Sequence, residues 1–294
     1  MVVPNEIIKD RDNMSNKRRQ FLKALSALPL AAQLPARADE PLDAIRKSGR
    51  LSIAVYDNFP PYSQAGKGID VDLGKALAEK LGLVPVIVEF KAGENMSDDL
   101  RNMVWKGHYL RGEPADMMVH VPVDPVLAEA NDKVRIFGTY HYETIAMARM
   151  ASRVPAPIGS AAVALEVFTR EKIGVEGDTL ADSFMLGASR GRFRENVVHF
   201  RSVEQAVAAL KEGEVSAVLA PRAEIEAALR GETRFAVDEA KLADLRNGRW
   251  PLGMAVKAEA ADLAAALTRA LAELQQAGTV AAIFKRYGVT AQAT

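Results

Sequence analysis

Three aromatic residues, Tyr56, Phe59 and Tyr62, lie close together after a run that alternates like a β-strand. A flat ring offers a ligand a large contact area at little cost in side-chain entropy. We therefore predict that this aromatic loop contacts a ligand. The alternative is that one or two of the rings only pack into the core, Phe59 in particular.

Candidates of a second kind precede two later helices. The backbone N–H groups of Gly177, Asp178 and Thr179, together with a helix dipole, can receive an anionic or strongly polar group. The alternative is that Asp178 or Thr179 only caps its own helix. Arg222, near the start of another predicted helix, is a candidate for binding an anion from the opposite wall of a cleft. Its alternative is exposure to solvent.

Metal ligation is the next chemistry to weigh, because imidazole and carboxylate groups suit several divalent ions. The spacing of His120, Asp124, His141 and Glu143 is not diagnostic of a metal site, and His120 alternates with valines as a core histidine does. We predict no metal and no cofactor, and we keep Asp124 as a ligand-binding candidate near a strand end. The chain has no cysteine, and it has no G-x-S-x-G, H-E-x-x-H or P-loop motif.

The elements that position these residues form two similar series. Residues 51–121 read strand, helix, strand, helix, strand, and residues 172–220 repeat that order without repeating the sequence. This order is typical of parallel sheets with helices on their faces. In the first helix, Asp72 is the predicted cap and Gly82 the predicted end. A strand at 252–257 and a long helix follow, with one face formed by Leu263, Leu267, Leu271 and Leu274.

Two lobes of this kind predict a cleft between them. In open α/β sheets, ligands bind beyond the carboxyl ends of the strands. We therefore expect the site to be lined by the loops that follow Val55, Val121, Val175 and Ala220.

The N-terminal 38 residues have the layout of a cleavable export signal, with Met1 or Met14 as the start. A basic head at 17–19 precedes an apolar segment at 24–32 that is shorter than the roughly 20 residues of a membrane span. The run 18–23 resembles a twin-arginine signal, so we predict export to the periplasm. These 38 residues hold seven of the 38 basic and three of the 38 acidic residues, leaving a net charge of −4. A basic nucleic-acid-binding surface is therefore not expected.

The run from Gly68 to Gly82 resembles the G-x-D-x-D signature of bacterial extracellular solute-binding proteins of family 3. Further matches occur in order at 172–179, 210–218, 271–278 and 284–288, so the resemblance covers nearly all of residues 42–290. It implies a type II periplasmic-binding-protein fold: two α/β lobes joined by two crossovers, with an interlobe cleft. The expected domains are an export signal at 1–38, lobe 1 at 39–148 and 250–294, and lobe 2 at 149–249.

The sequence departs from this family at the places where an amino acid is held. The family has an Arg shortly after the third strand and an acidic residue after the strand of the second lobe. The matching segment Val123–Ala128 has no Arg, and Ala220–Arg222 has no acid. Because each lost charge-assisted hydrogen bond is worth about 1.5–3 kcal/mol, a standard amino acid is disfavoured as the ligand.

Residues 116–127 and 139–142 resemble the branch of binding proteins associated with PQQ-dependent methanol and alcohol dehydrogenases. The leading hypothesis is a monomeric, non-catalytic binding protein whose lobes close on a small polar or anionic solute. Its expected partners are an ABC permease or a periplasmic quinoprotein dehydrogenase. One alternative is an accessory or maturation protein for such a dehydrogenase, with a degenerate pocket. Another is an enzyme similar to cyclohexadienyl dehydratases.

Overall fold

The computed structural model describes residues 41–108 and 112–292, so the predicted export signal lies outside the described residues. The α-helices are α1 Pro41–Ser48, α2 Ile69–Lys80, α3 Met96–Leu100, α4 Pro125–Ala130, α5 Ala161–Ala164, α6 Leu180–Gly191, α7 Val203–Glu212, α8 Arg222–Leu229, α9 Ala261–Gln276 and α10 Thr279–Arg286. A π-helix at Arg101–Trp105 and 3₁₀ turns at Glu166–Thr169 and Arg194–Asn196 accompany them. The strands are β1 Arg50–Tyr56, β2 Val84–Phe90, β3 Met117–Pro122, β4 Val134–Arg149, β5 Ile158–Gly159, β6 Ile173–Glu176, β7 Val197–Phe200, β8 Ala217–Pro221, β9 Ala236–Glu239, β10 Lys241–Leu242 and β11 Arg249–Lys257.

One long strand, β4, connects two groups of strands into a hydrogen-bonded path with the order β2-β1-β3-β11-β4-β8-β6-β7, and β9 pairs with β4 beside this path. On one side, β1 is parallel to β2 and β3, while β11 is antiparallel to both β3 and β4. On the other side, β6 is parallel to β7 and β8, and β4 is antiparallel to β8. The predicted α/β fold class with two mainly parallel strand groups is confirmed.

The two lobes meet where β4 changes its partners. Residues up to Thr144 pair with β11, whereas Ile145 and the residues after it pair with β8 and β9. The change lies a few residues before the predicted lobe boundary at 148/149. The chain returns near Gly248, whose carbonyl accepts from the Ile145 amide at 2.7 Å. Both crossovers therefore lie side by side.

Each strand group is buried on both faces, because the side chains alternate between two cores. On β1, Ile53 and Val55 belong to one cluster, and Ala54 and Tyr56 belong to the other. On β8, alternate residues likewise divide between the two clusters of lobe 2. The predicted apolar face of α9 is confirmed, since all four of its leucines are at most 5% exposed. No helix in the described part of the chain is long and apolar enough to cross a membrane.

The helix that follows β1 begins earlier than predicted. Helix α2 starts at Ile69 with Gly68 before it, so Asp72 lies inside the first turn and does not cap the helix. Instead, the Asp72 carboxylate accepts a hydrogen bond from the Tyr287 hydroxyl at 3.0 Å. The earlier start places Asp70 in the first turn as well, where its side chain is fully buried.

Candidate functional site

The aromatic loop after β1 folds back into lobe 1. The Tyr56 hydroxyl donates to Asp99 Oδ2 at 2.7 Å, and burial, followed by the Asp99 charge, raises the pKa of Tyr56. Tyr62 is 1% exposed, and Phe59 stacks on it with ring centroids 5.3 Å apart. Of these three predicted ligand contacts, only Phe59 is partly exposed. In this conformation Tyr56 and Tyr62 therefore build the wall behind Phe59.

The loop from β1 to α2 closes at Gly68, whose φ of +135° is accessible to glycine and not to other residues. A Cβ at this position would lie 2.1 Å from the Tyr62 carbonyl oxygen. The close return of the chain at Gly68 therefore fixes the position of Tyr62.

His120 occupies the centre of this aromatic loop, a role that the valine alternation in β3 did not predict. Its backbone has φ +63°, and the pairing of β3 with β11 skips His120, as at a β-bulge. The imidazole lies edge-on to its neighbours, with ring centroids 4.2 Å from Tyr62 and 4.9 Å from Phe59. Its Nδ1 is 3.0 Å from the buried Asp70 Oδ2, and 12% of the His120 side chain is exposed.

Glu143 joins the two lobes. Its Oε2 accepts from the Tyr62 hydroxyl at 2.6 Å, while its Oε1 accepts from the Thr144 amide at 2.8 Å and from the Ala223 amide at 3.4 Å. Tyr62 belongs to the loop after β1, and Ala223 belongs to α8 in the other lobe. Burial raises the pKa of Glu143, although these hydrogen bonds oppose that shift. The carboxyl-end loops of both lobes thus converge on one buried carboxylate.

The metal alternative finds no support in the positions of its four residues. His141 Nδ1 accepts from the Gln292 amide at 3.2 Å, and burial, followed by the charge of His120, lowers the pKa of His141 to about 4. Within residues 41–108 and 112–292, no group of three or more His, Asp or Glu side chains is placed to hold a metal ion. Asp124 caps α4, accepting from the Leu127 amide at 2.8 Å, and it is exposed at the end of β3.

The predicted anion-binding turn in lobe 2 uses its polar groups internally. The Gly177 amide donates to the Phe200 carbonyl at 3.1 Å, and the Asp178 amide donates to Asp182 Oδ2 at 2.9 Å. Arg222 forms an ion pair with Glu226 at 2.6 Å. The structure therefore brings these candidates to the expected ends of β6 and β8, but it gives each a partner within the protein.

Thr179 provides a direct test of the capping alternative. Its hydroxyl accepts from the Asp182 amide at 3.2 Å and donates to the Glu176 carbonyl at 2.7 Å. We expect Thr179→Ala to lower the free energy of unfolding by about 1 kcal/mol in urea denaturation, because it removes the cap of α6. Thr179→Ser, which keeps the hydroxyl, is the matched control. An unchanged stability in the alanine variant would contradict the capping role.

An acidic cluster that the sequence did not reveal lines the same end of lobe 2. Glu224 lies in the first turn of α8 and has no hydrogen-bond or ion-pair partner among the described residues. Burial raises its pKa well above the ordinary value, and the charges of Glu176, Glu143 and Glu204 raise it further. Burial also raises the pKa of Glu176 at the end of β6. At this wall a partly buried carboxyl group, that of Glu224, therefore lies near other carboxyl groups without a cationic partner among the described residues.

The signal that could have revealed Glu224 is its spacing from Pro221. Sequence comparison placed the missing acidic residue at Ala220–Arg222, and Glu224 follows Pro221 by three residues. An acid this close to the end of β8 lies in the first turn of α8, near the position where the family has its acidic residue.

Two cavities of about 400 and 430 Å³ lie elsewhere on lobe 2. One is lined by the segment from Glu239 to Arg249, and the other lies between α5 and α6 near Ser189. None of the predicted site residues lines either cavity. We locate the candidate site instead at the strand ends whose loops converge on Glu143 through the hydrogen bonds of Tyr62 and Ala223.

No family model matches the sequence, and no curated protein matches it. Solved structures do match. An ancestral cationic amino acid solute-binding protein is 19% identical, with a TM-score of 0.63 over 84% of this chain and 99% of that one. An amino acid ABC transporter substrate-binding protein from Streptococcus pneumoniae, bound to L-arginine, is 16% identical, with a TM-score of 0.55 over 83% of this chain and 97% of that one.

A solute receptor for L-cysteine from Neisseria gonorrhoeae is 22% identical, with a TM-score of 0.55 over 84% of this chain and 92% of that one. Likeness at this level of identity concerns the fold. The protein has the type II periplasmic-binding-protein fold, in which two α/β lobes share one long strand.

Proposed function

We propose that the protein is a non-catalytic solute-binding protein of the periplasm that takes a small organic cation between its lobes. The observation that carries this proposal is the position of Glu224, which lies in the first turn after β8 and near Glu176 and has no cationic partner among the described residues. Ligands of α/β sheets bind at these ends. A cation bound there would lower the electrostatic cost of burying the negative charges.

The anionic solute of the initial hypothesis fits this wall poorly. Arg222 is already paired with Glu226, and the amides of Gly177 and Asp178 already donate within the protein. An anion would therefore meet carboxylates without a free cation from these candidates. Two structural neighbours support a positive ligand: one is described as a cationic amino acid solute-binding protein, and the other is bound to L-arginine.

The ligand of this protein should nevertheless lack an α-carboxylate. The segment Val123–Ala128 after β3 has no cationic residue to hold one. An unpaired carboxylate would lose charge-assisted hydrogen bonds of about 1.5–3 kcal/mol. A simple amine or guanidinium compound therefore fits better than an amino acid.

Agmatine and L-arginine form a matched pair of probes, since agmatine is arginine without its α-carboxylate. We expect agmatine to raise the melting temperature and to bind at least about tenfold more tightly than L-arginine in calorimetry, as the loss of one charge-assisted hydrogen bond predicts. Tighter binding of L-arginine would overturn the absence of a carboxylate site. Binding of neither probe would count against the cationic ligand. Prephenate, a substrate of cyclohexadienyl dehydratases, should remain unchanged on incubation, which tests the alternative of an enzyme.

A second function has one specific observation in its favour. Tyr56, Tyr62, Thr179 and Arg222 all have partners within the protein, as expected of a degenerate pocket. Such a protein would serve as an accessory factor for a periplasmic quinoprotein dehydrogenase. Co-purification with that enzyme, unaffected by any amine, would favour this function over solute binding.

A further inference from the structure

His120 has a backbone conformation that separates it from a core histidine. A left-handed φ of +63° within β3 is uncommon outside glycine, asparagine and aspartate, although histidine also adopts it more often than most residues. The bulge that results lies opposite Gly253, where a Cβ would be 2.5 Å from the Phe137 carbonyl oxygen. The local backbone therefore places the imidazole among the aromatic rings at the carboxyl end of β3.

Asp70 determines which nitrogen of His120 carries the proton. Asp70 Oδ1 accepts from the Tyr140 hydroxyl at 2.9 Å, and burial raises the pKa of Tyr140, so this hydroxyl stays protonated. Asp70 Oδ2 is 3.0 Å from His120 Nδ1. A carboxylate only accepts hydrogen bonds, so Nδ1 is the donor in this contact, and in the neutral form of the imidazole the lone pair lies on Nε2.

No residue in the described part of the chain uses that lone pair. His120 Nε2 has no hydrogen-bond partner among the described residues. It is also not fully buried, since the fully buried polar side-chain atoms that lack a partner belong to other residues. Solvent therefore reaches it through the exposed 12% of the side chain. His199 provides the contrast, because its Nε2 lies 2.9 Å from Asp182 Oδ1 and its side chain is 47% exposed.

We infer that His120 Nε2 is the hydrogen-bond acceptor through which lobe 1 recognises an N–H group of the bound solute. This inference rests on the proposed function and extends it to a residue of lobe 1. An amine or guanidinium group donates hydrogen bonds and accepts none, so it matches an imidazole lone pair on one side and carboxylates on the other. Phe59, whose ring lies edge-on to the imidazole, supplies an apolar surface for the ligand's carbon chain.

The variant His120→Asn separates recognition from folding. Asparagine tolerates the left-handed backbone, and its side-chain amide can still donate to Asp70, but it has no acceptor at the Nε2 position. We expect its dissociation constant for agmatine to rise about tenfold or more, as for other hydrogen bonds to a charged group. His199→Asn, the matched control, should change it less than about twofold. Equal affinities of wild type and His120→Asn would overturn the inference.

A measurement without any solute keeps this inference separate from the proposed function. In ¹⁵N-histidine NMR spectra of the wild-type protein, His120 should be the Nδ1–H tautomer with an unprotonated Nε2. Diethyl pyrocarbonate, which acylates unprotonated imidazole nitrogen, should modify His120 when the products are mapped by mass spectrometry. A proton on Nε2, or resistance to the reagent, would overturn the inference. Absence of agmatine binding with a reactive His120 would overturn only the choice of amine as solute.

Discussion

Replacing Glu143 by alanine should lower the free energy of unfolding by about 3–5 kcal/mol. The carboxylate is the shared acceptor of the Tyr62 hydroxyl and of the Thr144 and Ala223 amides. Each buried donor left without an acceptor costs about 1–3 kcal/mol, because water cannot replace the lost partner. Denaturation in urea, followed by circular dichroism, measures the loss.

Two milder variants show which part of this loss comes from Tyr62. Glu143→Gln keeps an oxygen for the two amides and places an NH₂ group near the Tyr62 oxygen, so its loss should be clearly smaller than that of the alanine variant. Tyr62→Phe removes only the hydroxyl. A double-mutant cycle of these two changes should give a coupling energy of about 0.5–3 kcal/mol, since both residues contribute to one hydrogen bond. Near-wild-type stability of Glu143→Ala would contradict the proposed link between the lobes.

The fold could be predicted because its signals are local and repeat along the chain. Alternating residues on β1 divide between two cores, and the leucines of α9 recur on one buried face. Ser202 caps α7 as its spacing from Gln205 predicts, with the Gln205 amide donating to its hydroxyl at 3.3 Å. Each of these features depends on the residue types within one or two turns or strands.

The site was harder to predict, because its contacts connect residues far apart in sequence. Tyr62 and Glu143 are 81 residues apart, and His120 and Asp70 are 50 residues apart. Residue type and strand position suggested that Tyr62 faces a ligand, whereas the partner that occupies its hydroxyl depends on tertiary structure. The alternation of His120 with valines predicts a core histidine. A bulge that removes His120 from that alternation has no signal in β3 itself.

The predicted ligand contacts illustrate the same difficulty for charge. Arg222 lies near the expected end of β8, but its guanidinium forms an ion pair with Glu226, one turn later in the helix. Glu224 lies between these two residues and has no such partner among those described. Sequence alone assigns all three to one helix. The packing of that helix against the other lobe decides which carboxyl group lacks a cationic partner.

Glu224→Gln should stabilise the free protein and remove its binding of agmatine. Burial and neighbouring carboxylates raise the pKa of Glu224 in the folded state, so the native protein holds this proton more tightly than the unfolded chain does. Stability therefore falls as the pH rises from the ordinary carboxylate pKa of about 4.3 through the raised value. Glutamine has no charge to bury, so at neutral pH we expect a gain of about 0.5–2 kcal/mol.

Unfolding in urea at pH 5 and at pH 8 measures both parts of this effect. The stability of the wild type should decrease from pH 5 to pH 8, and that of Glu224→Gln should decrease less. Some decrease should remain in the variant, because the raised pKa values of Glu143 and Glu176 also lower the stability as the pH rises. Glu226→Gln is the matched control on the same helix. It should be destabilised, because Glu226 pairs with Arg222 and accepts from the Thr290 amide at 2.7 Å.

The gain in stability and the loss of agmatine binding that we expect of Glu224→Gln have one cause, so the two should be observed together. A carboxylate that is costly to bury without a partner is a favourable site for a cation, because the ligand supplies the missing charge. Agmatine should therefore raise the melting temperature of the wild type and of Glu226→Gln, but not that of Glu224→Gln. A Glu224→Gln variant less stable than the wild type at neutral pH would show that Glu224 already has a stabilising partner, and the cationic solute would lose its principal support.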